Sequence, residues 1–264
     1  MTATERPAEL LVTNDDGLAG PGLRVLVEAL ARLGKVRVAV PREEMSGIGH
    51  AVTLHRVLRS APVEIPPAVA AMYVEGTPAD AVKLALTTVF REVPFDLVVS
   101  GINRGPNVGV NVHYSGTVGA GLEAVIAGKP AVAVSLDVGP EYDFAPAARI
   151  AARLVGQLLA RLRRAERPPL PLCLINVNVP NRPERELRGL RLTRQGLSGF
   201  AEFYRPAQQA GDWEIDGAMQ LREESPEYDA IALAQGYVSV TPLGLDLTAR
   251  PADPGPDGWS FLLA

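Results

Sequence analysis

Residues 10–17 read LLVTNDDG, and this stretch decides the fold class because a short apolar run ends directly in two neighbouring acids. The apolar residues 10–13 predict a buried strand, and the spacing of apolar residues at 23–33 predicts a helix after a glycine-proline-glycine turn. Two adjacent carboxylates at the mouth of a buried strand repel each other unless a cation lies between them. The stretch therefore predicts a strand, a loop and a helix with a metal site at the loop.

Outward from this unit, short apolar runs alternate with helical patterns. The runs lie at 36–40, 97–100 and 131–136, and the helical patterns lie at 78–90 and 118–127. Such alternation predicts parallel βαβ units with right-handed crossovers. The runs are almost continuous in Val, Leu and Ala, which is typical of strands buried on both faces. We therefore expect an α/β fold with a mostly parallel sheet and helices on both of its faces.

The second half of the chain contains further predicted helices and strands. A long amphipathic helix is predicted at 145–162, and strands are predicted at 172–179, 190–193 and 237–241. The last of these runs alternates between apolar and polar residues, which predicts a half-exposed strand.

Residues 198–229 differ from the rest because they carry five aromatic side chains among many polar residues and show no clear period. This length without clear secondary structure is long for a loop in a compact domain. Two interpretations stay open, namely an extended hairpin or arm that packs on another subunit, or a meandering surface segment. No internal repeat or linker is visible. We expect one domain over residues 1–264, with 198–236 as an extended arm used in oligomerisation.

Composition and charge exclude several function classes. The 26 Lys and Arg residues and 30 Asp and Glu residues give a net charge of −4, which implies no general attraction to a nucleic acid polymer or an anionic membrane. The single cysteine, Cys173, cannot form an intramolecular disulfide and is expected to be a buried thiol. No signal-peptide core and no run of roughly 18 apolar residues is present, so a cytoplasmic location without membrane contact is expected.

The loops that follow the predicted strands carry the candidate chemistry. Besides Asp15 and Asp16, Ser46 lies after the second strand and Asn103 lies after the strand at 97–100. The carboxyl ends of parallel strands meet at one edge of a sheet, so these loops should converge there. Each residue alone is also typical of an ordinary turn, and only the set indicates a site.

The oxygen donors in this set suit Mg²⁺, Mn²⁺ or Ca²⁺ better than zinc or copper. The three histidines are His50, His55 and His113, and none has a partner at a spacing typical of zinc sites. His50 can line the site, whereas His55 and His113 are assigned solvated or structural roles.

A possible anion site opens the predicted helix at 118–127. Ser115, Gly116 and Thr117 precede that helix and offer backbone N–H groups, hydroxyls and the positive end of the helix dipole. The alternative is a plain N-cap by Ser115 or Thr117, worth about 1 kcal/mol. No Walker-type loop and no Gly-x-Gly-x-x-Gly motif is present, which counts against a nucleoside triphosphatase or a dinucleotide enzyme.

Six motifs, read together, resemble the stationary-phase survival protein SurE family over nearly the whole chain. They are NDDG at 14–17, SG at 46–47, GTPAD at 76–80, SGINRGPN at 100–107, YSGTV at 114–118 and YVSVTPL at 237–243. The resemblance implies a Rossmann-like α/β core with a C-terminal arm that forms a homodimer or homotetramer. It also implies a metal-dependent phosphatase for nucleoside 5′-monophosphates, often active on 3′-nucleotides or short polyphosphate as well.

The same resemblance assigns roles to individual residues. It implies that Asp15, Asp16, Ser46 and Asn103 hold one divalent ion per subunit, Mg²⁺ or Mn²⁺ with Ca²⁺ as a further option. It places Asn107, Ser115, Gly116 and Thr117 near the phosphate.

We hypothesise metal-assisted hydrolysis of a phosphomonoester, in which Asp15 or Asp16 orients or deprotonates the attacking water. Two rival interpretations remain. One is a phosphatase with an aspartate nucleophile, and the other is a nucleotide-binding regulatory module without turnover.

Overall fold

A computed structural model describes residues 6–164, 171–209 and 211–248 of the chain. Eleven strands are described: β1 Ala8–Thr13, β2 Gly34–Pro41, β3 Ser60–Pro62, β4 Ala70–Val74, β5 Leu97–Arg104, β6 Ala131–Leu136, β7 Leu174–Val179, β8 Leu190–Leu192, β9 Gly199–Pro206, β10 Trp213–Gln220 and β11 Val238–Leu243. The α-helices are α1 Pro21–Leu30, α2 Pro78–Leu84, α3 Gly116–Ile126, α4 Phe144–Arg163 and α5 Asp229–Ala234. Gly109–His113 and Glu184–Glu186 are 3₁₀ segments, and Ala85–Val89 is a π-helical turn.

Nine strands form one sheet in the order β3-β4-β2-β1-β5-β6-β7-β11-β8. From β4 through β7 all neighbouring strands are parallel, whereas β3 and β11 join their neighbours β4 and β7 antiparallel. The chain extends from β1 to one side through β2 and β4, and then returns to the other side through β5 and β6. The strand order thus reverses between β1 and β5, and ligands of open α/β sheets bind at the carboxyl ends of strands at such a reversal.

Both faces of the sheet are covered, as the apolar runs predicted. Helices α1 and α4 pack on one face and α2 and α3 on the other, each within its own apolar cluster. In β1, Leu10 and Val12 belong to the first cluster and Leu11 belongs to the second. Alternate side chains of a strand point to opposite faces, so this fully buried strand links the two halves of the core.

The mostly parallel α/β sheet with helices on both faces is confirmed, and several elements differ in detail. In the range 78–90, where one helix was predicted, the α-helix ends at Leu84 and a π-helical turn follows it directly. In this turn the Thr87 hydroxyl donates to Lys83 O at 2.7 Å. The strand predicted as half-exposed at 237–241 is mostly buried because β11 lies between β7 and β8. Cys173 is only partly buried, directly before β7.

The segment that lacked a clear period contains an antiparallel hairpin of β9 and β10, most of whose residues are exposed. The hairpin ends at Gln220. Helix α5 is largely buried and packs against β11, so the last part of the predicted arm 198–236 belongs to the core. The ends of the predicted domain, residues 1–5 and 249–264, lie outside the described residues.

In the described ranges, none of the helices combines the length and the apolar character needed to cross a membrane.

The close packing of α1 against β5 predicts opposite effects for two helical glycines. A Cβ on Gly22 would lie 2.1 Å from the carbonyl oxygen of Ile102, whereas a Cβ on Gly156 in α4 would meet only Leu33 Cδ2 at 3.7 Å. We expect Gly22→Ala to lower the free energy of unfolding by more than about 2 kcal/mol. Gly156→Ala, the matched control, should raise it by up to about 1 kcal/mol because alanine favours a helix. Urea denaturation measures both, and equal effects would contradict the prediction.

Candidate metal and phosphate site

The loop after β1 is packed tightly against the loop after β2. Asn14 Nδ2 donates to Gly17 O at 2.9 Å and closes the turn around the two acids. Gly17 has φ +76°, and a Cβ there would lie 2.6 Å from the backbone of Glu43. Met45 N donates to Asp15 O at 2.8 Å. These contacts place the loop that carries Ser46 beside the acids.

The far end of the same loop is fixed by a buried carboxylate. Glu123 on α3 is 4% exposed, and its carboxylate lies 3.0 Å from His50 Nε2 and 2.6 Å from Lys83 Nζ. His50 therefore contacts Glu123 and is not among the residues that line the cavity beside Asp15, which is described next. The suggestion that His50 lines the site is replaced by a role in holding the Ser46 loop against α3.

One cavity of about 300 Å³ unites most of the residues predicted for the site. Its wall includes Asp15, Ser46, Asn103, Asn107 and Ser115. They come from the ends of β1 and β5, the loop after β2 and the start of α3, as the convergence of carboxyl ends predicts. The cavity thus lies at the reversal of strand order between β1 and β5.

Asp15 is held by the start of α3. The Thr117 hydroxyl donates to Asp15 Oδ1, and a Cβ on Gly116 would lie 2.8 Å from Asp15 Cβ. Glycine is therefore required where the helix start approaches the carboxylate. Thr117 is fully buried and its hydroxyl supports Asp15, so the contact of this hydroxyl with a phosphate stays a prediction. Ser115 caps the helix, and its Oγ accepts from Val118 N at 3.1 Å.

Asn107 is positioned by polar side chains inside the sheet, which sequence reasoning missed. Its backbone N–H donates to Asn178 Oδ1 at 2.7 Å, and its Nδ2 donates to Ser135 Oγ at 2.8 Å. Its carbonyl accepts from the amides of Asn176 and Asn178 at 2.8 and 3.1 Å. The sequence contained a signal for this network, because Asn176 and Asn178 are two residues apart in the otherwise apolar stretch LINVNV of β7 and so share one face of the strand.

The electrostatics of the acid pair favour a bound cation. Burial, the neighbouring Asp15 and Glu44 together raise the pKa of Asp16 to about 6, against a smaller lowering by Arg104. Burial also raises the pKa of Asp15, although hydrogen bonds from Thr117 oppose this. Carboxylates with raised pKa values are stabilised when an opposite charge approaches them.

The side chains at this place fit a hard divalent cation. Within the described residues, Asp16 Oδ2 is buried without a hydrogen-bond partner. Asn103 Nδ2 donates to Gly105 O at 2.7 Å, which leaves its amide oxygen as the end available to a cation. In ranges 6–164, 171–209 and 211–248, no group of three or more His, Cys, Asp or Glu is placed to hold a metal. Two acids with neutral oxygen donors suit Mg²⁺ or Mn²⁺ rather than zinc.

Sequence reasoning also missed a part of the cavity wall, which we call its rim. The rim consists of Asn111, Tyr114, Val138, Phe200 and Glu202, and the last two come from β9. The aromatic residues at 198–229 were a signal for this segment, but their link to the acid pair depends on contacts between distant parts of the chain.

We expect Asp16→Asn to stabilise the metal-free protein at pH 8. In the unfolded chain Asp16 ionises near its ordinary pKa of 3.8, whereas in the folded protein its pKa is raised to about 6. The charged carboxylate therefore opposes folding fully above pH 6 and not below pH 4. The gain, about 1 to 2 kcal/mol once partial exposure is allowed for, should disappear over that window. Urea unfolding in EDTA measures it, and a variant less stable than wild type at pH 8 would contradict it.

Comparison with known proteins places the chain in a family. Residues 10–202 match the family model described as "Survival protein SurE". A protein of Moorella thermoacetica named 5′-nucleotidase SurE is 43% identical, with 90% of this chain and 91% of that protein covered. One of the same name from Gloeobacter violaceus is 43% identical, with 92% of each covered. The crystal structure of the SurE protein from Aquifex aeolicus has a TM-score of 0.79 and 34% identity, covering 97% of this chain and 100% of that one. The chain belongs to the SurE family.

Proposed function

We propose that this chain is a phosphoric monoester hydrolase that depends on a divalent metal and acts on nucleoside 5′-monophosphates. The observation that carries the proposal is the cavity in which Asp15, a carboxylate with a raised pKa, lies beside Ser115 at the start of α3. The neighbouring Asp16 is outside the cavity wall, and its Oδ2 is buried without a hydrogen-bond partner among the described residues. The activity named for the relatives, 5′-nucleotidase, requires a place for a phosphate, and a divalent cation is one means of activating water for its hydrolysis. The residues of this cavity supply both kinds of group.

Asp15, Asp16, Ser46 and Asn103 would hold one Mg²⁺ or Mn²⁺ ion. Such an ion, when bound, polarises a phosphoryl oxygen and lowers the pKa of a water molecule. The two carboxylates balance the charge of a divalent ion, and the hydroxyl and amide add neutral oxygens, so the ligand set brings no excess negative charge to repel a phosphate. Ser46 Oγ donates to Glu44 at 2.7 Å in this structure, which orients the hydroxyl oxygen.

The chain's own groups orient the reactants. Asp15 lines the cavity and is held through Oδ1 by Thr117, so its other oxygen is available to orient the attacking water and accept its proton. Ser115 and the first N–H groups of α3 would donate to the phosphoryl oxygens as negative charge develops there. Asn107, fixed by its network in the sheet, contributes a further contact on that wall.

The test is phosphate release from AMP, 3′-AMP and short polyphosphate, each with Mg²⁺, Mn²⁺ and EDTA. We expect release from AMP with either metal and none in EDTA. Asp15→Asn should lower kcat by about 100-fold or more because the water loses its proton acceptor. Asp212→Asn in the exposed hairpin turn is the matched control and should keep full activity. Binding of nucleotide without phosphate release would instead support the regulatory module.

We also propose that the β9–β10 hairpin joins subunits into a homodimer or homotetramer, and that the contact is made by apolar residues on one face of the hairpin. Tyr204, Trp213 and Ile215 are each more than half exposed, and Tyr204 pairs with Ile215 across the strands. Apolar surface of this kind on a projecting element is typical of an interface.

Replacing Trp213 and Ile215 together by serine should remove the apolar surface and lower the molar mass measured by light scattering. The core does not include these side chains, so the thermal unfolding temperature of the subunit fold should change little. An unchanged molar mass would show that the hairpin does not join subunits.

A further inference from the structure

The root of the β9–β10 hairpin is joined to the segment that leads into α3. Val110 N donates to Ser198 O at 2.9 Å, and Asn111 Oδ1 accepts from Phe200 N at 3.3 Å. Gly109 has φ +54°, and a Cβ there would lie 1.9 Å from Ser198 O. Glycine is needed for this approach, which fixes the backbone of Phe200 to a wall of the cavity.

One buried carboxylate, Asp229, and one partly exposed carboxylate, Glu223, strengthen the same junction. Asp229 has no solvent exposure, and its two oxygens accept from Gly109 N at 2.9 Å and Gly196 N at 3.2 Å. The Ser198 hydroxyl donates to Glu223. A removed partner would leave a buried charge or N–H group unsatisfied, which costs more than an ordinary hydrogen bond contributes. The start of β9 is therefore tied to the body of the fold by several hydrogen bonds.

The cavity wall combines two chemically different kinds of side chain. Asp15 and the other oxygen donors come from strand ends and the start of α3, whereas the rim residues Phe200, Tyr114 and Val138 contribute apolar surface beside the Glu202 carboxylate. Side chains two apart on a strand share a face, so Phe200 and Glu202 both reach the cavity from β9. Phe203 lies on the opposite face of that strand and is not among the residues of the wall.

We propose that Phe200 and Glu202 form the nucleoside end of the site, an inference that rests on the proposed function. The base stacks on the Phe200 ring, and the Glu202 carboxylate accepts hydrogen bonds from the ribose hydroxyls. Asp15 and the two β9 residues line one and the same cavity, so a ligand with its phosphate beside Asp15 has these rim residues within the same space for its organic part. Stacking is available to every base because each has a π-face, so the rim selects nucleosides as a class rather than one base.

Phe200→Ala should separate substrates with a base from those without one. We expect kcat/KM for AMP to fall about tenfold through loss of stacking, mainly through KM, with ribose 5-phosphate changed less than about twofold. Phe200→Trp should restore activity on AMP. Phe203→Ala on the opposite face of β9 is the matched control and should leave both substrates unchanged.

Glu202→Ala gives the second measurement. We expect kcat/KM for AMP to fall about fivefold or more through loss of a hydrogen bond to a charged acceptor, with 2′,3′-dideoxy-AMP unaffected. The proposal would be overturned if Phe200→Ala lowered kcat/KM equally for AMP and ribose 5-phosphate, or if Glu202→Ala lowered it equally for AMP and 2′,3′-dideoxy-AMP. It would also be overturned if either variant kept full activity on AMP.

If the proposed function itself is wrong, the wild-type protein will release phosphate from none of these compounds, which distinguishes that failure from a failure of this inference. In that case adenosine binding by calorimetry decides the inference alone. Binding weakened about tenfold by Phe200→Ala supports it, and binding that is absent or unchanged in the variant overturns it.

Discussion

The structure depends on two adjacent carboxylates held with little exposure where the strand order reverses. Burial raises the pKa of both acids, and repulsion from Asp15 raises the pKa of Asp16 further. The acids are kept in this unfavourable position by close backbone contacts on three sides. Glycines allow those contacts, since a Cβ on Gly17 would meet the loop after β2 and a Cβ on Gly20 would lie 2.6 Å from Asp16 Cβ. The α3 start approaches from the third side. Strain of this kind is typical of a site preorganised for a charged ligand.

The polar network beneath Asn107 follows from the same requirement. Burying Asn176 and Asn178 in a central strand has an unfavourable solvation term that their hydrogen bonds offset. A strand made only of Val and Leu would pack as well and would leave the Asn107 loop without partners. We therefore attribute the asparagines to positioning of that loop rather than to stability of the sheet.

Much of this arrangement could be predicted from the sequence, because it depends on local pattern. The period of apolar residues located β1, β2, β5 and β6, and the rule for carboxyl ends brought Asp15, Ser46 and Asn103 to one place. The contact between Thr117 and Asp15 spans 102 residues, and that between Asn107 and Asn178 spans 71. No local pattern fixes such pairs, so the sequence predicts either a phosphate contact or an N-cap for Thr117 and gives no sign of its hydrogen bond to Asp15. Of the two interpretations left open for residues 198–229, the extended hairpin is confirmed. Its strand bounds could not be predicted because the exposed strands lack a one-sided apolar alternation.

The β9–β10 hairpin takes part both in the proposed subunit interface and in the proposed nucleoside end of the site. Its first residues are tied to the cavity by Gly109, Ser198 and Asp229, while its outer residues present Trp213 and Ile215 to the surroundings. An antiparallel ladder that runs from Gly199 paired with Gln220 to Pro206 paired with Trp213 links these ends. A subunit bound at the outer end would restrict the whole ladder, including Phe200. Assembly and recognition of the nucleoside would then share one rigid element, and the acid pair would be left to act on the phosphate.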